Sequence, residues 1–533
     1  MITAKELDFF KAQAQFKQMC ELVEQALAEG QRIDQLERGL FPQAMTMCLH
    51  LLQSFVSAHG DGNEGETLER EGQVLQRLPE QHDKRYLSIF GELIVPRWVY
   101  GTRAGQAIDW SPLDAALGLP AGENSYVLED WLQRLCIHDA FGESVESFRA
   151  WLGTTVSVRT AENMNRNMSA YVDDYRVNQG APPADEEGEL LVVTADGKGV
   201  VMRRPLAERL REECGANQVE RGGDEEAKTT EGDAPALDGR SKSSSLSAKP
   251  STNSTRPSGD AGERTGKKQM AYVGAIYSLA RFRRTAEDVV DEVRRRKRRA
   301  DRPQPQHKHV WAQMTQIRDG EVWHAAPNLF VGMAVECYER DPSRRKPLIC
   351  VMDGERHLWK LQEEWFPRAI GILDLFHALK RLWEVADCFH PERSHEEAEF
   401  VTHYLRMLLQ GKVGYVLRRF RQLAKTPDLS ASQKKTIRSA ITYYDNNRAH
   451  MRYDEYLAAG YPIASGVAEG TCKYLVKDRM ERAGMRWEIE GAQAMLSLRA
   501  VYLNGLWDQF IAYRIDREQA CLYGEHAQCA TAA

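Results

Sequence analysis

No two cysteines of the chain stand at C-x-x-C spacing, although ten are scattered from Cys20 to Cys529. That absence argues against a zinc finger or a disulfide scaffold and leads us to expect free thiols in a reducing cytoplasm. Long hydrophobic runs are missing too. No apolar stretch reaches the ~18–20 residues of a membrane span. The opening MITAKELDFF carries acids where a signal peptide needs a basic end and an apolar run. The expectation is a cytoplasmic protein without a membrane partner. A basic excess is lacking as well: the net charge is −6, so any contact with nucleic acid must come from local patches. No internal repeat is evident, which argues against a solenoid or propeller. What remains is an ordinary globular composition, 42% hydrophobic and 28% charged over 533 residues, enough for two to four domains with normal cores.

Two basic patches stand out. Arg294–Arg299 is an unbroken basic run, and Lys412–Arg438 is rich in Lys and Arg with Asp428 as its one acid, interleaved with Tyr415 and Phe420. Each fits DNA contact or an ordinary solvated helix face. Residues 1 to about 80 carry apolar residues at helical spacing. Tyr86–Tyr100 turns to β-branched and aromatic residues and reads as a short strand pair. In SVESFRAWLGTTVSVRTAENMNRNMSAYV one helix ends near Gly153 and a second starts with Ser157 as its N-cap. This is helix-turn-helix grammar with Arg159, Asn163 and Arg166 facing a groove, or a plain helical hairpin.

Leu190–Ala195 is a buried-type strand expected to end at Asp196-Gly197, with a second short strand at Val200–Arg203. Residues 215–266 turn rich in Gly, Ser, Thr and Pro and cannot bury a core. Strand character returns at Ala271–Ala280, Pro347–Met352 and Ala369–Leu373. Pro391–Tyr461 is helical in pattern, as is Val467 to about Arg514.

Three acids occupy matching places in this layout. Asp196 and Asp353 each follow a strand and precede a glycine, and Glu469 lies in the first turn of a helix starting near Val467. Each has a plain explanation, as turn former or dipole partner. Together they match two magnesium ions, hard cations that take oxygen ligands and, ~4 Å apart, serve both oxygens of an in-line displacement. Lys473 and Lys477 follow Glu469 at i+4 and i+8, suited to a phosphate backbone. Asp374 and His377 form D-x-x-H after the last strand; Asp374 also reads as a helix N-cap, and His377 as a metal ligand or a core histidine.

The motifs VTADGKGVVMR, ICVMDGERHLW, ILDLFHALKRLW and SGVAEGTCKYLVKDRMERAGMRW, in that order, resemble the transposases of the ISKra type of bacterial insertion sequence. IFGELIVPRWVY and LRAVYLNGLWDQF extend the resemblance from about Tyr86 to Arg514. It implies an α/β catalytic core, a ribonuclease-H-like mixed sheet with flanking helices, of the Asp-Asp-Glu class related to Mutator-like and hAT-like enzymes. An all-α insertion would interrupt the core, and a mostly α region would precede it. The implied units are a helical region 1–85; a strand pair and helix-turn-helix-like region 86–185; the core 186–377; an insertion 378–460; core helices 461–515; and a tail 516–533. Asp196, Asp353 and Glu469 match the catalytic and metal-binding triad, with Asp374 and His377 as support. Asp374 also ends a strand and competes for the second place, but D-x-x-H in that superfamily follows the second acid. The implied chemistry uses two Mg²⁺ or Mn²⁺ ions. Activated water cuts the element end, and the freed 3′-hydroxyl attacks target DNA, with no covalent protein–DNA intermediate. Implied partners are double-stranded DNA, both terminal inverted repeats and target, and further copies of the chain, at the bacterial nucleoid. Trp383 in the insertion is a candidate stacking platform for an unpaired base, but its spacing from Leu379 and Leu382 favours a place in the core. A DNA-binding regulator without catalysis, or a structure-specific nuclease, are the alternatives on the same core.

Overall fold

The computed structural model describes residues 8–70, 72–102, 108–203, 268–294, 302–318, 320–482 and 484–524. The Gly- and Ser-rich segment 215–266 and the basic run beyond Arg294 lie outside them. The protein is mixed α/β. Helices Phe10–Ala28 and Ile33–Ala58 pair as a hairpin. Strands then appear where helix was expected up to residue 85: β1 (Thr67–Arg70), β2 (Gln73–Arg77) and β3 (His82–Ser88). The reason is local. Gly60, Gly62, Gly65 and Gly72 all take positive φ, which ends the helix and makes the turns. β3 pairs antiparallel with β4 (Gly91–Arg97), so the expected strand pair starts earlier than Tyr86, and β5 (Tyr100–Gly101) joins β2. Leu93 and Val95 of β4 pack with Leu113 and Leu119, and Leu49, Leu52 and Val56 of the second helix lie against them.

A five-stranded sheet forms the centre. Its strands are β6 (Leu190–Val201), β7 (Lys268–Leu279), β8 (Gln306–Met314), β11 (Leu348–Met352) and β12 (Ile370–Leu373). The small hairpin of β9 (Gln316–Arg318) and β10 (Glu321–Trp323) stands apart. The order is β12-β11-β6-β7-β8. β6-β7 and β7-β8 pair antiparallel, whereas β6-β11 and β11-β12 are parallel. Leu190–Val193 and Ile349–Met352 are buried throughout, as expected of strands covered on both faces. Gly274 lets helix Ala325–Arg340 close onto β7: a Cβ there would lie 2.9 Å from Met333 Sδ and 3.0 Å from Leu329 Cδ1.

Three expectations are corrected by the structure. β6 does not stop at Asp196 and restart at Val200; it is one strand, because pairing with β7 continues without a break from Leu190↔Leu279 to Val201↔Lys268. The assumed tail 516–533 begins as helix: Trp507–Tyr523 is continuous, held by Gln519 Nε2 to Gly118 O (2.9 Å) and Tyr523 Oη to Leu119 O (2.6 Å). Cys521 is in a disulfide, against the expectation of free thiols, while Cys20, Cys48, Cys136, Cys337, Cys350, Cys388 and Cys472 are free. Between Pro391 and Tyr461 the regular structure is helical: His395–Leu409, Val413–Leu423, Ala431–Asn446 and Tyr453–Ala459, with a 3₁₀ turn at Arg448–His450. Among the described residues no helix is long and apolar enough to cross a membrane.

β8 is an edge strand whose open side is met by side-chain amides. Asn504 Oδ1 accepts the Val310 N–H (2.9 Å), and its Nδ2 donates to Val310 O (3.0 Å). Gln493, from helix Ile489–Leu503, accepts the Met314 N–H (2.7 Å) and donates to Ala312 O (3.1 Å). These bonds satisfy backbone groups that would otherwise template another strand. Gln493→Leu strands two buried backbone groups at about 1–3 kcal/mol each. It is expected to lower the urea midpoint accordingly, and an unchanged midpoint would show that the cap contributes nothing.

Candidate functional site

Strand register brings three acids together. Met352 pairs with Ala195 on β6 and with Leu373 on β12, so Ala195, Met352 and Leu373 form one row across three parallel strands. The next residues are Asp196, Asp353 and Asp374, on strands spaced ~4.8 Å apart. Asp196 lies inside β6, but it stands just past the end of its parallel neighbour, which opens that side for its carboxyl.

Asp374 is fully buried and caps helix Leu375–Ala386. Its Oδ1 accepts from Phe376 N (2.6 Å) and His377 N (3.3 Å). Its Oδ2 accepts from Ser465 N (2.6 Å) and from the Ser465 hydroxyl. Burial alone would raise its pKa, but His377 and the Ser465 donors outweigh it and hold the carboxyl below its ordinary value. A carboxylate has about four acceptor sites, and here all are taken. Asp374 thus fastens the return of the insertion, where Ser465 is the N-cap of helix Gly466–Thr471.

Glu469 rises one turn later on that helix, its N–H bonded to Ser465 O (3.1 Å). Burial pushes its carboxyl up, with Asp374 and Asp196 adding to the shift. Asp353 is also raised by burial and by Asp196 and Asp374, against the lowering effects of the Glu355 N–H (2.9 Å) and His377. His377 Nδ1 is 3.6 Å from Asp374 Oδ1, an ion-pair contact too long for a hydrogen bond, and this buried nitrogen has no hydrogen-bond partner. Burial opposes its charge, yet the surrounding carboxylates raise its pKa. The ligand atoms of Asp374, His377 and Glu469 lie within 4.8 Å of one another.

Two members of the site were missed in the sequence. Glu355, two residues past Asp353, is raised to about 7 by burial and then by Asp353; the Tyr272 hydroxyl lies 3.4 Å from it. The Cys472 thiol lies 3.2 Å from Asp196 Oδ2. The signal for Glu355 was its place in VMDGERHLW, directly beyond a strand end. Cys472 had none, because a π-helical turn, Cys472–Lys477, aims it.

Lys473 and Lys477 are exposed on that turn, Lys473 Nζ 5.3 Å from the Tyr474 ring; such turns recur at functional sites. In the helix-turn-helix-like segment, helix Phe141–Leu152 ends at Gly153 (φ 73), and the Ser157 hydroxyl caps helix Val158–Ser169 through Thr160 N (3.0 Å). Ala161, Met164, Asn165 and Met168 are buried, while Arg159 and Asn163 are exposed. Arg166 is half-buried, bonded to Asn163 Oδ1 (3.2 Å) and 3.8 Å from Glu488. Trp383 packs against the main core, half-buried. In the patch Lys412–Arg438, Phe420 is buried and Arg418, Arg419, Arg421, Lys425 and Arg438 are exposed.

Three arginines tie the Glu469 segment to the N-terminal half. Arg479 Nε donates to Cys136 O (2.9 Å), Arg482 to His138 O (2.9 Å), and Arg499 to Ile137 O. These are the last carbonyls of helix Tyr126–His138, which lack partners within a helix. Arg499 also bonds Leu475 O (2.9 Å) and Tyr474 O. No protein-family model matches the chain, and a search of curated proteins returns no match.

The charge cluster carries a pH signature. A carboxyl raised from 4.5 to about 7 binds its proton more tightly in the folded state. Its stabilising contribution is therefore complete below the unfolded pKa and fades as pH rises through the folded one. The stability difference between wild type and Glu355→Gln in chelator is expected to fall between about pH 4.5 and 7 and then level off. A pH-independent difference would remove Glu355 from the cluster.

Proposed function

We propose that this chain is a metal-dependent DNA transposase built on a ribonuclease-H-like core. The observation that carries the reading is that Asp196 and Asp353, far apart in sequence, follow one row of neighbouring strands, and that helix Gly466–Thr471 brings Glu469 within the electrostatic reach of Asp196. A sheet of three antiparallel strands extended by two parallel ones, with a helical insertion before the last acid, supports the same core.

The donor set fits magnesium or manganese. It is almost wholly carboxylate, and it gathers like charges, Asp353 and Glu355 half-buried and Glu469 at the exposed rim, whose carboxyls are raised by burial and by one another. Such a cluster lacks countercharge that a divalent cation supplies. Asp196, Asp353 and Glu469 would hold two ions, which when bound polarise the attacking oxygen and stabilise the leaving one. Asp353 suits the second place of the triad better than Asp374. The described contacts of its carboxylate leave acceptor capacity free, whereas Asp374 is saturated by four donors. Asp374 is then a positioning residue for Glu469, acting through Ser465, and His377 supplies a partial countercharge. Exposed Lys473 and Lys477 suit the phosphates flanking the cut. Exposed Arg159 and Asn163 suit groove contacts of the second helix of the helix-turn-helix-like pair. The joining step, which separates a transposase from a nuclease, rests on the resemblance of the motifs.

The two aspartates separate experimentally on labelled DNA carrying the element's own ends, with Mg²⁺ or Mn²⁺. Asp353→Asn is expected to abolish cleavage while leaving the metal-free melting temperature unchanged or raised, since it removes a half-buried charge repelled by its neighbours. Asp374→Asn is expected to lose cleavage by about 10–100-fold and stability by about 1–3 kcal/mol, because an amide nitrogen would face the Ser465 donors. The reverse ranking of cleavage, with both variants folded, makes Asp374 the second acid. Wild-type protein that binds these ends and never cuts them indicates a regulator.

A further inference from the structure

Helix Ile33–Ala58 has three distinct faces. One meets helix Phe10–Ala28, where Ala12, Gln15 and Ala26 are buried and Leu22 touches Gly39. A second, Leu49, Leu52 and Val56, packs on the β4 cluster. The third carries Phe41, Cys48, Leu51 and Phe55, and nothing in the described chain covers it: Phe41 is 46% exposed and Phe55 52%. None of residues 41–58 is Asp, Glu, Lys or Arg, which an ordinary solvated face would not tolerate. The first helix bears a matching stripe, Phe16, Cys20, Val23 and Leu27, at i, i+4, i+7 and i+11, with Phe16 58% and Leu27 84% exposed.

We propose that this hairpin is a self-association surface, on which the hairpin of a second copy of the chain packs to close a four-helix bundle. Two antiparallel helices with so few buried residues lack a core of their own, and a second hairpin supplies the missing layer. Both helices carry the same kind of apolar stripe, so the patch complements itself under a two-fold axis. The size fits. Phe16, Phe41 and Phe55 are each about half exposed, and at ~200 Å² per ring they offer roughly 300 Å². Val23, Leu27, Ile33 and Leu51 bring this towards the ~800 Å² per partner of a standard interface. That exceeds the apolar patch a typical monomer leaves in water. Other occupants fit less well. A membrane-surface helix needs a basic polar face and DNA needs cations, and residues 41–58 offer neither. The hairpin holds none of the acids discussed above, so the proposal stands apart from the chemistry of that site.

The test is the mass of the full chain by sedimentation velocity, for wild type and for the double variants Phe16→Glu/Leu27→Glu and Phe41→Glu/Phe55→Glu. Wild type is expected near twice 60.6 kDa. Each variant should weaken association by on the order of 100-fold while keeping the circular dichroism and urea midpoint of the core. A bifunctional maleimide should join wild-type chains through Cys20, and Cys20→Ser should remove that product. A wild-type monomer at the highest soluble concentration, a dimer that both double variants leave intact, or binding of the hairpin to anionic vesicles in place of self-association overturns the proposal.

Discussion

Several carboxyl groups share one end of the sheet, and their mutual repulsion sets the terms for everything around them. Three of them follow Ala195, Met352 and Leu373, which lie in one row of paired strands, so no side-chain rearrangement can disperse them without breaking the register. In a poorly hydrated position each raises the cost of ionising the next. The fold meets that cost unevenly. Asp374 is neutralised by four donors and a histidine, while Asp353, Glu355 and Glu469 are left with raised affinity for a proton. Groups held in this state bind a proton more tightly than free carboxyls do, so their charge depends on pH in the range where the folded protein titrates them.

Of the two readings of Asp374 available from the sequence, helix cap and metal-site member, its hydrogen bonds display the first. Its cap bonds to Phe376 and His377 start one helix, and its bonds to Ser465 start another, the one bearing Glu469. One buried carboxylate therefore sets both the point where the helical insertion leaves and the point where it returns.

How much was legible follows from the range of the forces involved. Local signals carried well. Ser157 and Asp374 as caps, Gly153 as a stop, and the helical run after Pro391 all depend on neighbours within a turn. The positions of Asp353 beyond a strand end and of Glu469 in a first helical turn were legible because these too are local features. Elements decided at long range were not. β8 reads weakly because its outer half alternates half-heartedly and its edge is completed by Gln493 and Asn504, far along the chain. The continuity of β6 through Asp196-Gly197 depends on β7, which follows only after residue 267. The N-terminal strands were hidden by a helical pattern that the positive-φ glycines cut short. Glu355 and Cys472 acquire their place only once β7 and the π turn are folded beside them.

Arg499 joins two regions that the sequence keeps hundreds of residues apart. One guanidinium holds Ile137 O at the end of helix Tyr126–His138 and also Tyr474 O and Leu475 O in the turn after Glu469. Planar and buried, it behaves as a rivet: neither strut can slide by a fraction of an ångström without bending bonds at the other. A load applied to helix Tyr126–His138 would thus be felt in the turn that follows Glu469 as a tug on its backbone carbonyls.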